Sequence, residues 1–170
     1  MNMDIPEMPD YTIRTIETTD IDFLKTAMYH AIFIPPGSPP CSESIVETPD
    51  IARYWREWGR TGDTGVMAVR TDTGTALGAA WFRLWYGSER GYGFISPDIP
   101  EMSVSVMPAM RGRGIGTELI GALLALADTR FCAVSLNVHM KNPAISLYVK
   151  FGFVLLDHER DSMTMIRRIQ

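Results

Sequence analysis

Two periods run through the apolar positions of this chain, and each change of period marks an element. Tyr11–Thr18 (YTIRTIET) alternates and is rich in β-formers, which predicts a first strand. In IDFLKTAMYHAIF the residues Ile21, Leu24, Met28 and Ile32 recur at helical spacing, with Thr19 and Asp20 placed to cap the helix. IPPGSPPCSES follows as a loop, because each of its four prolines lacks an N–H and fixes φ. DIARYWREWGR predicts a second helix, capped by Asp50 and ended near Gly59. TGVMAVRTDTGTALGAAWFRLWYG predicts a hairpin around the turn TDTG, its second strand long and aromatic. SERGYGFISPDIP is a loop, long enough to carry function rather than merely connect.

From Glu101 the signals sharpen. EMSVSV alternates strictly and ends at Met107-Pro108, since proline cannot donate to a sheet ladder. After a glycine-rich loop, Ile115, Leu119, Ile120, Leu123, Leu124 and Ala127 make one apolar stripe at helical spacing. FCAVSLNV is a mostly apolar strand. NPAISLYVKFG carries helix punctuation: Asn142 as N-cap, Pro143 at the first helical position and Gly152 just past the end. FVLLDHERDSMTMIRRI closes as a strand pair around the turn ERDS. The order predicts an α/β (α+β) fold: a mixed, mostly antiparallel sheet of about seven strands flanked by helices.

Composition changes this picture little. The 170 residues, 46% hydrophobic and 21% charged, suit one globular domain spanning 1–170, and no linker or repeat divides them. A net charge of −4 argues against a nucleic-acid partner and is compatible with a cationic or amine substrate. Cys41 and Cys132 stand in unlike settings with no paired histidine spacing, so neither a disulfide scaffold nor a metal site is expected. The acidic, proline-bearing start MNMDIPEMPD does not read as a targeting peptide, and no apolar run approaches a membrane span. The expectation is a cytoplasmic protein with no membrane partner.

The candidate chemistry lies in MRGRGIGTEL (Met110–Leu119), where two arginines and three glycines crowd between a strand and a helix start. Backbone N–H groups are unpaired there and the helix dipole is positive, while glycine lets a ligand approach without a Cβ in the way. Such a loop suits phosphate. A Walker A loop needs a lysine after its last glycine, and Ile115-Gly116-Thr117 supplies none. A dinucleotide loop needs G-x-G-x-x-G, whereas Gly112, Gly114 and Gly116 are spaced G-x-G-x-G. Both are excluded.

Val106–Gly116 instead reads V-x-P-x-x-R-G-x-G-I-G, which resembles the pyrophosphate loop of the GNAT superfamily of N-acetyltransferases. NPAISLYVKFGF (Asn142–Phe153) resembles that superfamily's second signature, with Ala144 one position early. The resemblance implies a GNAT-like acyl-CoA N-acyltransferase fold, acetyl-CoA as co-substrate, no metal, and transfer of acetyl to a small-molecule amine. It implies coenzyme contacts from Val104, Val106 and Met107 on the strand, from Arg111, Gly112, Arg113, Gly114, Ile115, Gly116 and Thr117 in the loop, and from Asn142 and Tyr148. One arginine of Arg111 and Arg113 can screen the diphosphate while the other packs against protein or reaches the ribose phosphate. A homodimer is a habit of the superfamily. A non-catalytic acyl-CoA-binding module or a protein N-acetyltransferase are alternatives on the same fold.

By the same resemblance, Tyr148 faces the thioester sulfur. A phenol of pKa about 10 can act as general acid to a thiolate whose thiol has a pKa of about 8.5. The amine must shed a proton before attack, and Glu101, sharing a strand face with Ser103 and Ser105, is a base directly or through a water. His30, at the end of the first helix, competes for that role. Trp81, Arg83 and Trp85 alternate onto one strand face, where Trp81 and Arg83 are candidates to line the acceptor pocket, Arg83 as a clamp for a carboxylate or phosphate. Trp55 and Trp58 lie three apart on one helix face, where core packing explains them.

Overall fold

The computed structural model describes residues 9–169; the acidic start read from Met1 to Met8, and Gln170, lie outside the described residues. In chain order the elements are β1 (Tyr11–Thr15), α1 (Ile21–Ala31), α2 (Pro49–Ala52), β2 (Thr64–Arg70), β3 (Ala76–Arg83), β4 (Glu101–Val106), α3 (Ile115–Ala127), β5 (Ala133–His139), α4 (Ile145–Lys150), β6 (Val154–Glu159) and β7 (Ser162–Arg168). Short 3-10 turns precede α1 and α2 and follow β4. The seven strands form one sheet in the order β1-β2-β3-β4-β5-β7-β6. Every neighbouring pair is antiparallel except β4 with β5. This is the mixed, mostly antiparallel sheet that the sequence predicts.

Strand alternation gives the sheet two apolar faces. Val66 and Ala68 of β2 join Phe82, Met102 and Leu136 under α3, which buries Ile115, Leu119, Ile120, Leu123, Leu124 and Ala127, the whole predicted stripe. Met67 and Val69 turn the other way, to Trp81, Trp85, Trp55 and Trp58 and to Leu24, Ala27 and Met28 of α1. Among the described residues no helix is long and apolar enough to cross a membrane. Cys41 and Cys132 are both free thiols.

Several expected boundaries move. The helix expected over 50–60 is regular only through Pro49–Ala52, with Thr48 rather than Asp50 at its N-cap. The cause is Arg83: its guanidinium donates to the carbonyls of Arg53 and Arg56 at 2.7 Å, taking acceptors that a continuing helix needs. Glu57 then turns to a φ of 53° and ends the segment. The long aromatic strand stops at Arg83 because its partners do: β2 begins opposite Phe82 and β4 begins opposite Arg83. β1 ends at Thr15, and the Asp20 carboxylate bonds Arg14 and the Glu17 N–H instead of capping α1. Asn142 caps one turn early, its Oδ1 accepting from the Ala144 N–H at 2.9 Å, with regular helix from Ile145.

Candidate functional site

After β4 the chain makes one 3-10 turn at Pro108–Met110 and enters the glycine loop. Gly112 and Gly114 adopt φ of 73° and 87°, in the left-handed region that an L side chain strains to enter. Gly114 is the N-cap of α3, and the first bond of the helix runs from Glu118 N–H to Gly114 C=O at 3.2 Å. The N–H groups of Ile115, Gly116 and Thr117 precede that bond and stand at the positive end of a helix of 13 residues. Both glycines have open space where a Cβ would lie. Arg111 does not face this space. Its Nε donates to Val106 C=O at 3.0 Å and its Nη2 to His30 C=O at 2.9 Å, tying α1 to the end of β4. Arg113 is half-buried in the same loop.

Beside the loop the sheet opens. The parallel ladder of β4 and β5 holds at Glu101 with Ser135, where Ser135 N–H donates to Pro100 C=O at 2.9 Å, and forms no further pair. The Met107 N–H donates to Leu77 C=O, so Met107, Ser105 and Ser103 turn their amides to β3 while Val106 and Val104 turn theirs to the opening. Val104 and Val106 pack against the α3-side cluster, which also holds Ile115 and Tyr148.

Tyr148 is 7% exposed, its ring edge-on to Phe153 at 6.1 Å. Its ring is buried, while its hydroxyl bonds no described residue and is not among the fully buried polar atoms left without a partner, so the oxygen keeps an opening to solvent. Burial pushes the phenol up to about 12, so it is protonated at neutral pH.

Glu101 is placed differently from a solvent-facing base. It is 3% exposed, and both carboxylate oxygens are engaged: Oε1 accepts from Tyr54 OH at 2.8 Å and Gly93 N–H at 2.9 Å, and Oε2 from Trp85 Nε1 at 2.8 Å. Burial raises its pKa above the ordinary carboxylate value even against these three donors and the field of Arg53. Tyr54, buried against the same carboxylate, is pushed well above the usual phenol range.

His30 ends α1 half-buried, with its own carbonyl held by Arg111. Burial, and then the cation of Arg111, lower its pKa, so the imidazole is neutral at pH 7. Past α1, Phe33 lies ring to ring with His139 at 5.0 Å, so the proline-rich loop crosses from α1 to the end of β5. Ser105 Oγ, buried on the α1 side of β4, has no hydrogen-bond partner among the described residues.

The structure corrects the acceptor-pocket assignment of Trp81 and Arg83. Trp81 is 1% exposed and donates its Nε1 to Tyr54 C=O at 3.0 Å. Arg83 forms a two-pronged pair with Asp63 at 2.8 and 2.7 Å, and its remaining donors bond backbone carbonyls. A guanidinium with every fork occupied has nothing left for a substrate. Sequence reasoning passed over Tyr54, Gly91 and Gly93. The signal for the two glycines was the Gly91-Tyr92-Gly93 spacing in a loop already read as functional, while Tyr54, in the segment 50–60, carried none.

Among curated proteins none matches this sequence. Solved structures share the fold. A phosphinothricin acetyltransferase from Sinorhizobium meliloti in complex with acetyl-CoA aligns at a TM-score of 0.66 with 20% identity, covering 94% of this chain and 88% of its own. A ribosomal-protein-alanine N-acetyltransferase from Brucella melitensis aligns at 0.65 with 19% identity, covering 93% and 99%. A spermidine N-acetyltransferase chimera from Vibrio cholerae aligns at 0.63 with 18% identity, covering 93% and 95%. The family model of the GNAT acetyltransferases matches residues 28–153, from the end of α1 through both glycine-bearing signatures. The chain therefore belongs to the acetyltransferase (GNAT) family.

Proposed function

We propose that this chain is an acetyl-CoA-dependent N-acetyltransferase, a single domain working in the cytoplasm on a small-molecule amine. The observation that carries the reading is the placement of Tyr148, whose hydroxyl bonds no described residue, in the core cluster with Val104, Val106 and Ile115 at the start of α3. Two structural neighbours support a small amine as acceptor, one named for phosphinothricin and one for spermidine.

In this reading the Ile115, Gly116 and Thr117 N–H groups hold the coenzyme's diphosphate, with Gly112, Arg113 and Gly114 shaping the approach and Asn142 fixing the start of the α4 turn. Val104 and Val106 pair their outward amides with the pantetheine arm beside Met107, and one of those N–H groups receives the oxyanion of the tetrahedral intermediate. Acetyl-CoA brings the thioester. His30, unprotonated at neutral pH, takes the proton of the incoming ammonium. Tyr148 serves the leaving thiolate. Full proton transfer from a phenol near 12 to a thiolate whose thiol has a pKa of about 8.5 is uphill by on the order of 5 kcal/mol. The hydrogen bond to the developing thiolate is therefore the larger part of its role. Glu101 positions rather than abstracts.

A homodimer belongs to the same reading. Edge strand β6 offers its free backbone together with Val154, Leu155 and Leu156, each about half exposed, and an edge paired with its own copy closes with two-fold symmetry. Sedimentation of the protein with Leu155→Lys tests it, dissociation being the expected result.

Free-thiol release from acetyl-CoA across a panel of amines and short peptides tests the function. Turnover with a small amine is expected. Coenzyme binding with no transfer to any acceptor leaves only a binding module, and transfer to peptides alone makes it a protein acetyltransferase.

A further inference from the structure

The loop between β3 and β4 does more than connect them. Its Gly91–Phe94 turn, closed by Phe94 N–H to Gly91 C=O at 3.2 Å, lies where β4 and β5 part. On one side it presses on β5: a Cβ at Gly93 would stand 2.8 Å from Leu136 C and 2.9 Å from Asn137 N. These are the first residues of β5 beyond the last pair with β4. On the other side it is held by β4. Glu101 Oε1 accepts the Gly93 N–H, and a Cβ at Gly91 would stand 2.0 Å from Oε2. The Tyr54 hydroxyl completes the clamp, accepting from Tyr92 N–H at 2.6 Å while donating to Glu101.

We propose that this turn is a wedge between β4 and β5, and that Glu101 is a positioning residue. By gripping two successive N–H groups of the turn, directly and through Tyr54, it sets the width of the opening that receives the pantetheine arm. The chemistry explains why a carboxylate is buried at such a place. One backbone N–H, a phenol and an indole N–H converge on this carboxylate, and an acceptor with two oxygens satisfies all three where a neutral amide, with one oxygen, cannot. The two glycines are needed because any side chain at 91 or 93 would strike the carboxylate or the backbone of β5.

The inference rests on the coenzyme-binding reading above, and its test separates the two. Acetyl-CoA affinity is measured by calorimetry without acceptor, and kcat and KM with one, for the intact protein and for Glu101→Gln, Gly93→Ala and Tyr54→Phe. The wedge predicts Kd and KM for acetyl-CoA raised about tenfold in the first two variants and a few-fold in Tyr54→Phe, with kcat at saturation falling less than KM rises. Loss of kcat with unchanged coenzyme affinity in Glu101→Gln, and normal affinity in Gly93→Ala and Tyr54→Phe, would overturn it and make Glu101 the base. Tyr54→Phe removes one hydroxyl and keeps the ring packed on Trp85, so the test survives if a harsher variant fails to fold. Failure of the unaltered protein to bind acetyl-CoA overturns the functional reading first. The wedge is then judged by amide exchange in the free protein, where Gly93→Ala and Tyr54→Phe must change protection at Val104, Val106 and Leu136, and unchanged protection rejects it.

Discussion

Tyr54 and Glu101, 47 positions apart, meet through a buried 2.8 Å hydrogen bond from phenol to carboxylate. A carboxylate held above its ordinary pKa by burial destabilises the fold once ionised, despite its donors. The folded form binds the proton more tightly than the unfolded one. The stability that Glu101 contributes is thus greatest below pH 4.5 and is lost as pH rises through its raised value. Denaturant titrations across pH 4 to 8 should show the unaltered protein losing stability relative to Glu101→Gln as pH rises; the opposite slope would contradict the burial.

Arg83 and Asp63 form a pair in which both side chains are 2% exposed. Removing one partner strands the other, so Arg83→Met should cost about 3–5 kcal/mol in urea unfolding. The same change at Arg14, whose pair with Asp20 is 41% exposed on the arginine side, should cost at most about 1 kcal/mol. Equal losses would contradict the prediction and mean that burial of the Arg83–Asp63 pair adds nothing over an exposed one.

Tyr148→Phe removes one hydroxyl that bonds none of the described residues, so stability should change by well under 1 kcal/mol. Activity should fall about 10²-fold in kcat with coenzyme affinity retained. Because the phenol titrates near 12, the pH–rate profile should show no loss on its account up to about pH 10. An alkaline limb that vanishes in Tyr148→Phe would show the hydroxyl to be far better solvated than its burial implies.

His30 is held below its ordinary pKa of 6.5 by burial and the neighbouring Arg111. As general base it should give a kcat/KM that rises with pH through an apparent pKa below 6.5, and His30→Ala should abolish that limb. The linkage to stability has the same sense. The unfolded chain takes up the proton first, so stability present above pH 6.5 is lost as pH falls, and His30→Ala should flatten that loss.

The fold was legible where local pattern and tertiary demand coincide. EMSVSV is β4 residue for residue, and the stripe from Ile115 to Ala127 is the buried face of α3, because both elements lie wholly within one sheet or one helix face. DIARYWREWGR failed because its helical pattern is contested by a guanidinium from β3, 26 to 30 residues later in the chain. Arg83 itself was misread for the same reason. An arginine alternating with tryptophans looks like a substrate clamp until Asp63 and the carbonyls of Arg53 and Arg56 are folded around it.

By itself the sequence determined the strand and helix order, the glycine loop at a helix start and the family signatures, since these depend on spacing along a few turns of chain. Only the tertiary structure decided which polar groups are used up. Glu101 is held by donors from positions 54, 85 and 93, Arg111 is spent on Val106 and His30, and the Tyr148 hydroxyl bonds none of the described residues. A buried polar group draws its partners from whatever segments the fold brings within about 3 Å, and no period or motif records that.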